Sequence, residues 1–320
     1  MNDFCIVGAG ISGSTIANLL KNKYTIQVID KAKGVGGRAS NRRYNKSLSF
    51  DHGLQFISPK KKEFQKFISE LEIKKILKKW RGLHLDLLSS KENLKNKYIG
   101  KNGNNDISKY LLKKTKIFLS SEVVDISNNL GYWTLLLSNN NKIFSKNLIL
   151  TCPFPQVKFL AKKYLTKKVN NLNVKMQPNI TVMCAFNNSK KINISSIKFK
   201  DNIISWASNE NSKKRFNSTL NLWTIQCNLN WSKKNINLYK GQRKSLIKKV
   251  IKRFFTLTGL NDSKIIYSKI HGWKYAYNFK HTSVKSYWSK KNRLGVCGDW
   301  FLGPKAENSW FSATDLFHKI

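Results

Sequence analysis

The chain has few acidic residues. Its 320 residues include 17 Asp and Glu against 59 Lys and Arg, a formal net charge of +42. Such an excess can serve binding to nucleic acid or to an anionic membrane surface. Here the clusters stay short (Lys60-Lys61-Lys62, Lys113-Lys114, Lys248-Lys249), and no RNP, zinc or helix-turn-helix pattern accompanies them. Dispersed compositional drift is therefore favoured over a nucleic-acid-binding tail, since blocks of like charge are what mark such tails. The field would still draw anionic substrates. Paired cysteines are missing too. Cys5, Cys152, Cys184, Cys227 and Cys297 are far apart and each sits in an apolar run. They are expected to be small buried thiols, not metal ligands or disulfides. No apolar run reaches membrane-spanning length, and the first strand begins within four residues of the start, which leaves no room for a signal peptide. A cytoplasmic, reducing location is the expectation. Neither a Ser-His-Asp set nor a metal cluster is visible, and no residue stands out as a general base.

What is present begins at once. Phe4-Cys5-Ile6-Val7 is long enough for a buried strand, and Gly8-Ala9-Gly10-Ile11-Ser12-Gly13 follows it. Residues 14–20 show helical spacing of Ile16, Leu19 and Leu20, and residues 24–29 form a second strand-like run ending at Asp30. Strand, G-x-G-x-x-G turn, helix, strand and acidic residue form the dinucleotide-binding fingerprint. Gly8 permits the tight turn, Gly10 lets backbone approach a pyrophosphate, and Gly13 lets helix and strand pack closely. The helix N-terminus offers unpaired N–H groups to the phosphates. Asp30 can accept from a ribose hydroxyl.

A second glycine cluster follows, Gly34-Val35-Gly36-Gly37-Arg38, in which Arg38 is a candidate phosphate donor. Coming after such a unit, it resembles the GG-R motif of two-dinucleotide-domain flavoproteins, which include the amine oxidases, and this shifts the cofactor from NAD to FAD. Phe50-Asp51-His52-Gly53 with Gln55-Phe56 resembles the F-D-H-G-A-Q-Y-F stretch of renalase-like FAD-dependent oxidoreductases. So do the P-x-P-Q at Pro153–Gln156, Trp206 with Ser212-Lys213-Lys214-Arg215 (the family's S-K-P-G-R, here without its Pro-Gly), and Asn230-Trp231-Ser232. His271-Gly272-Trp273-Lys274-Tyr275-Ala276 resembles H-R-W-R-Y-A, with Gly272 where Arg is usual. Near the end, Gly298-Asp299-Trp300 precedes Glu307-Asn308-Ser309, where the family carries E-G-A.

The resemblance implies an α/β fold, a Rossmann-like FAD-binding domain with an inserted antiparallel-sheet substrate domain. Residues 1–79, 105–155 and 265–320 are assigned to the first, residues 80–104 and 156–264 to the second. It implies non-covalent FAD held by Gly8, Gly10, Ser12, Gly13, Asp30, Lys31, Gly36, Gly37, Arg38, His52, Gln55, Val124, Gly298, Asp299, Asn308 and Ser309. Asn308, bulkier than the family's glycine, is expected to loosen the contact between the last helix and the flavin. Phe56, Trp206, His271, Trp273 and Tyr275 would line the substrate pocket, Trp273 and Tyr275 from one strand face; a core stripe is the competing role. For His52 a structural hydrogen-bonding role is favoured over that of a base. The expected activity is hydride transfer from a small substrate to flavin N5 with O2 as reoxidant. A dihydronicotinamide, an NAD(P)H isomer, is the substrate the resemblance favours. An amine oxidase or desaturase on the same scaffold is the alternative, and a degenerate flavoprotein holding FAD only structurally is a third.

Overall fold

The opening strand, Asn2–Val7, takes the centre of the first sheet because Phe4, Cys5 and Ile6 can be buried on both faces. It pairs in parallel with Ile26–Ile29, which pairs in turn with Lys116–Phe118. On its other side lies the second half of Lys142–Leu150. The sequence suggests two strands there, residues 142–144 and 147–151. The computed structural model, which describes residues 1–88, 91–92, 96–129, 131–187, 192–260 and 263–320, has one. Ser145 does not interrupt it, because its hydroxyl donates to the carbonyls of Asn2 and Asn147. The first half of this strand continues an antiparallel hairpin with Tyr132–Leu137, whose turn holds Asn140 at φ 66°. The second half receives Leu294–Val296 in parallel from the other end of the chain.

The second sheet runs in the order Lys264–Tyr277, Gln177–Asn187, Asn221–Cys227, Ile204–Asn209, Ile194–Lys198, Leu83–Asp86, Lys91–Glu92. All its pairings are antiparallel except that of Ile194–Lys198 with Leu83–Asp86. The helix Arg243–Thr258 covers one face with Leu246, Val250, Ile251, Phe254 and Phe255, and it ends on Gly259 at φ 68°, the left-handed conformation that glycine adopts freely. Trp223 and Trp231 belong to this core. The expected boundary at 265 needs correction. Residues 264–277 are the edge strand of this sheet, so the chain returns to the first sheet only after Tyr277. The turn expected at Asn128-Asn129-Leu130-Gly131 includes Leu130, which lies outside the described residues.

A buried ionic cluster joins the second sheet to the short antiparallel pair Asn41–Arg43 and Ser49–Asp51. Asp51 ends the short strand Ser49–Asp51; Glu210, Lys213 and Arg215 follow Ile204–Asn209. All four side chains are almost entirely buried. The Asp51 carboxylate accepts from Lys213 Nζ at 2.9 Å, Arg215 Nη1 at 2.5 Å, Asn41 Nδ2 at 3.0 Å and the Asn104 backbone N–H at 3.0 Å. Lys213 also pairs with Glu210 at 2.9 Å, and Arg215 donates to the Gly100 carbonyl and to Asn104 Oδ1. Burial alone would raise the Asp51 carboxyl, but Arg215 and Lys213 outweigh it and hold it well below the usual carboxylate range. Where the family pattern has Pro-Gly, Lys214 closes the turn at φ 49°.

Two stability outcomes follow. Asp51→Asn leaves two buried cations against one carboxylate and should cost about 3–5 kcal/mol in urea unfolding. Lys214→Gly removes a left-handed non-glycine residue and should stabilise by roughly 1 kcal/mol; a lower midpoint would show that this turn is unstrained.

Candidate functional site

The turn after the first strand is built for close approach. Gly8 has φ +112°, and a Cβ on Gly13 would come within 1.9 Å of the Gly8 carbonyl oxygen. Thr151 Oγ1 donates to the carbonyls of Val7 and Gly8 and pins the corner from the neighbouring strand. The helix Ile11–Leu20 has no side-chain cap, so its first-turn N–H groups are open toward the cavity. Asp30 accepts the Ala9 N–H at 2.7 Å and the Ala32 N–H at 2.8 Å, which fixes the carboxylate beside the corner. Gly36 bridges Gly10, and at φ +120° and +53° Gly36 and Gly37 let the second glycine loop fold onto the first.

The other end of the chain meets this corner. Arg38 Nη2 contacts Asp299 Oδ1 at 2.5 Å, its Nη1 donates to the Ala276 carbonyl at 2.7 Å, and Ser12 Oγ donates to the Ser309 carbonyl at 3.2 Å. The helix Ala306–Phe317 likewise lacks a side-chain cap, and its first turn opens on the same space. The result is one cavity of about 1210 Å³. That exceeds the few hundred to 1,000 Å³ of an ordinary small-molecule site and suits a dinucleotide with a substrate beside it.

Gly8, Gly10, Ser12, Asp30, Lys31, Gly36, Gly37, Arg38, Val124, Asp299 and Ser309 line its dinucleotide end. His52, Gln55, Phe56, Trp206, His271, Trp273 and Tyr275 line the other. Three expected residues do not line it. Gly13 is packed against Gly8 behind the turn. Gly298 lies under Trp300, its N–H donating to Ser312 Oγ. Asn308 turns back, donating to the Leu302 and Gly303 carbonyls, so its bulk does not press on the cavity. Arg38 is also not a free phosphate donor, since its guanidinium is engaged by Asp299 and Ala276.

The far wall is aromatic. His52 stacks on Trp273 with centroids 5.1 Å apart, His271 meets both edge-on, and Trp273 Nε1 donates to the His52 carbonyl at 2.9 Å. Phe56 and Trp206 continue it at 5.6 Å. Burial lowers the His52 imidazole to about 3, helped by His271 and Arg42, and lowers His271 to about 4, helped by Arg42. Both rings are neutral at neutral pH. Gly272 lines the cavity with its backbone, and a side chain there would point away from it. A Cβ there would meet Tyr239 at 2.5 Å, so the space an arginine would need is filled by Tyr239 and Ile236. Sequence reasoning missed Thr151, Arg42, Asn179 and Gln226, which also line the cavity. Only Thr151 carried a signal, as the polar residue ending a buried strand.

The comparisons agree with this geometry. Residues 6–71 match an NAD(P)-binding Rossmann-like domain. Over 173 residues, 49% of this chain and 48% of the relative, the sequence is 31% identical to renalase of Mus musculus. The chain thus matches about half the length of that relative. Its fold superposes on a protein assigned as a protoporphyrinogen oxidase from Exiguobacterium sp. 255-15 with TM-score 0.74, 11% identity and coverage of 99% and 98% of the two chains. Cyclohexylamine oxidase from Brevibacterium oxydans IH-35A gives TM-score 0.71 at 10% identity, covering 99% and 98%. A putrescine oxidase bound to putrescine gives 0.69 at 11%, covering 99% and 97%. Over that half the sequence is similar to renalase, and the whole chain shares the fold of these oxidases. The uncapped helix, the glycine corner, Asp30 and the cavity volume fit FAD.

The wall sets a pH dependence. In the unfolded chain both imidazoles titrate near 6.5, but in the fold only near 3–4. Below pH 6.5 the unfolded state therefore takes up protons that the fold refuses, and stability falls as pH drops toward 4. Urea midpoints of the wild type should fall across this window, and less steeply for the His52→Gln/His271→Gln variant.

Proposed function

We propose that the protein is an FAD-dependent oxidoreductase that oxidises a small dihydronicotinamide, an isomer of NAD(P)H, with O2 as the terminal acceptor. The observation that carries this reading is the wall of His52, His271 and Trp273, whose two imidazoles are uncharged, at the end of the cavity away from the glycine corner. Such a wall suits a flat, uncharged ring. The amine-oxidase alternative would call for a carboxylate to hold an ammonium group. The cavity's acids are Asp30, Glu122 and Asp299, and each is engaged elsewhere, by backbone N–H groups, Lys31 and Arg38 respectively.

Bound FAD would supply the hydride acceptor and pass the two electrons to O2, giving H2O2. The residues of this chain would do the rest. Gly8, Gly10, Ser12 and the second glycine pair would let backbone N–H groups approach the pyrophosphate. Asp30 would accept from the ribose of the adenosine half, while Asp299 and Ser309 lie where the flavin half would run. The first turn of Ala306–Phe317 would favour negative charge near it. Trp273, held by the His52 carbonyl, would fix the plane against which the substrate ring lies. Gln55 is clamped by Ser208 and by the backbone of Asp51 and Gly53, so it offers a rigid floor.

The purified protein should be yellow, with stoichiometric flavin absorbance. Anaerobic addition of a dihydronicotinamide isomer should bleach it, and air should restore it. Protein that neither carries nor takes up FAD overturns the cofactor; bleaching by an amine alone overturns the substrate class.

A further inference from the structure

Arg42 stands apart from the other cations of the cavity. It lies on the strand Asn41–Arg43, opposite Phe50 of Ser49–Asp51, and reaches the aromatic end of the space. Its Nε is buried without a hydrogen-bond partner. Among the described residues no carboxylate lies within ion-pair distance of it, whereas Lys31, Arg38 and Lys198 each have one, Glu122, Asp299 and Asp86. Its titratable neighbours are His52, His271 and Tyr267. The first two are neutral, and burial raises the tyrosine, so none offers a countercharge. Lys274 and Lys305, the other cavity cations with no ion pair, are exposed to solvent. A partly desolvated guanidinium without a counterion is unfavourable unless something anionic completes it. The planar fork of Arg matches a phosphate with two parallel hydrogen bonds.

We propose that Arg42 is the specificity-determining residue for an anionic substituent of the substrate, a phosphate attached to the sugar of the dihydronicotinamide, which it binds while the ring lies on the His52–Trp273 wall. This rests on the reading of the cavity as a dihydronicotinamide-oxidising site. It assigns the selection between phosphorylated and unphosphorylated substrates to one side chain, and it sets the cavity against cationic amines.

The test compares dihydronicotinamide mononucleotide with dihydronicotinamide riboside, which lacks the phosphate, on wild type, Arg42→Gln and Arg42→Lys. KM and kcat are measured for both. Calorimetry on the anaerobic enzyme with its flavin already reduced gives Kd for the same two reduced compounds independently of turnover. Wild type should prefer the phosphorylated member of the pair by roughly 10- to 100-fold, in KM and in Kd. Arg42→Gln should abolish that preference by raising KM and Kd of the phosphorylated member, with flavin content unchanged; Arg42→Lys should restore part of it. The Tm of Arg42→Gln should equal or exceed that of wild type, since a structural Arg would lower it when removed. A preference that survives in Arg42→Gln, or none in wild type, overturns the assignment. If neither reduced compound bleaches the flavin while the Arg42-dependent Kd difference persists, the oxidase reading fails and the anion site stands.

Discussion

The buried charges of Asp51, Glu210, Lys213 and Arg215 fix how the short strand pair Asn41–Arg43 and Ser49–Asp51 meets the second sheet, and the site depends on that junction. Two cations and two carboxylates are removed from water together, so the cluster is close to neutral as a unit. Desolvation is offset by the ion pairs and hydrogen bonds within the cluster. Arg215 extends the cluster into the loop at Gly100–Asn104, and Asn104 Nδ2 then donates to the Leu54 carbonyl. Gln226, on the second sheet, donates to the Gly53 carbonyl. The segment from Asp51 to Gln55, which carries His52 toward the cavity, is therefore held by the second sheet on one side and by the loop at Gly100–Asn104 on the other. An apolar joint would bind these two elements as well but would allow them to slide, whereas directional charge pairs set a register.

A second junction closes the chain on itself. Strand pairing brings residues 294–296 beside the strand next to Asn2–Val7, and the Arg38–Asp299 pair and Ser12–Ser309 contact follow from that placement. Two uncapped helix starts, more than 290 residues apart in sequence (11 and 306), thus open on one space. Each is an unsatisfied end that a globular core would ordinarily cap. Glu307 reaches out of its own helix to accept the N–H groups of Lys60 and Lys61, which ties the chain just before Lys62–Ile73 to the last helix.

Local rules of the chain made the first corner legible. Glycine spacing, flanking apolar runs and Asp30 are neighbours in sequence, and the turn they imply is a local structure. The tryptophans divided along the lines of burial: Trp223 and Trp231 went to the core and Trp206 and Trp273 to the cavity, and only pairing could separate them. The boundary at 265 failed because nothing local distinguishes the edge strand of one sheet from the return to another. Lys213 could not be read as buried, since a lysine is buried only when distant partners meet it, here Asp51 and Glu210. Gly272 reads as a lost arginine in sequence, and its reason, Tyr239, lies more than 30 positions away. Arg42 gave no signal at all. Its character comes from what does not surround it, and sequence does not record an absent countercharge.

The cavity joins two electrostatic regimes. At the glycine end, Asp30 and Asp299 are ionic partners of backbone or Arg38, and the helix starts supply partial positive charge. At the aromatic end the titratable rings are stripped of charge by burial, and Arg42 is the cation among them. A molecule entering the second region gains little by carrying charge on its ring and much by carrying negative charge beside it. In a low-dielectric pocket a misplaced ammonium would lie near a guanidinium with no carboxylate to answer it, and that repulsion is barely screened. The same desolvation that neutralises His52 and His271 therefore sharpens the discrimination made by Arg42. The dispersed charge of +42, for which compositional drift is the favoured explanation, adds only a long-range pull on anions; the selection between them is made within a few ångströms of the wall.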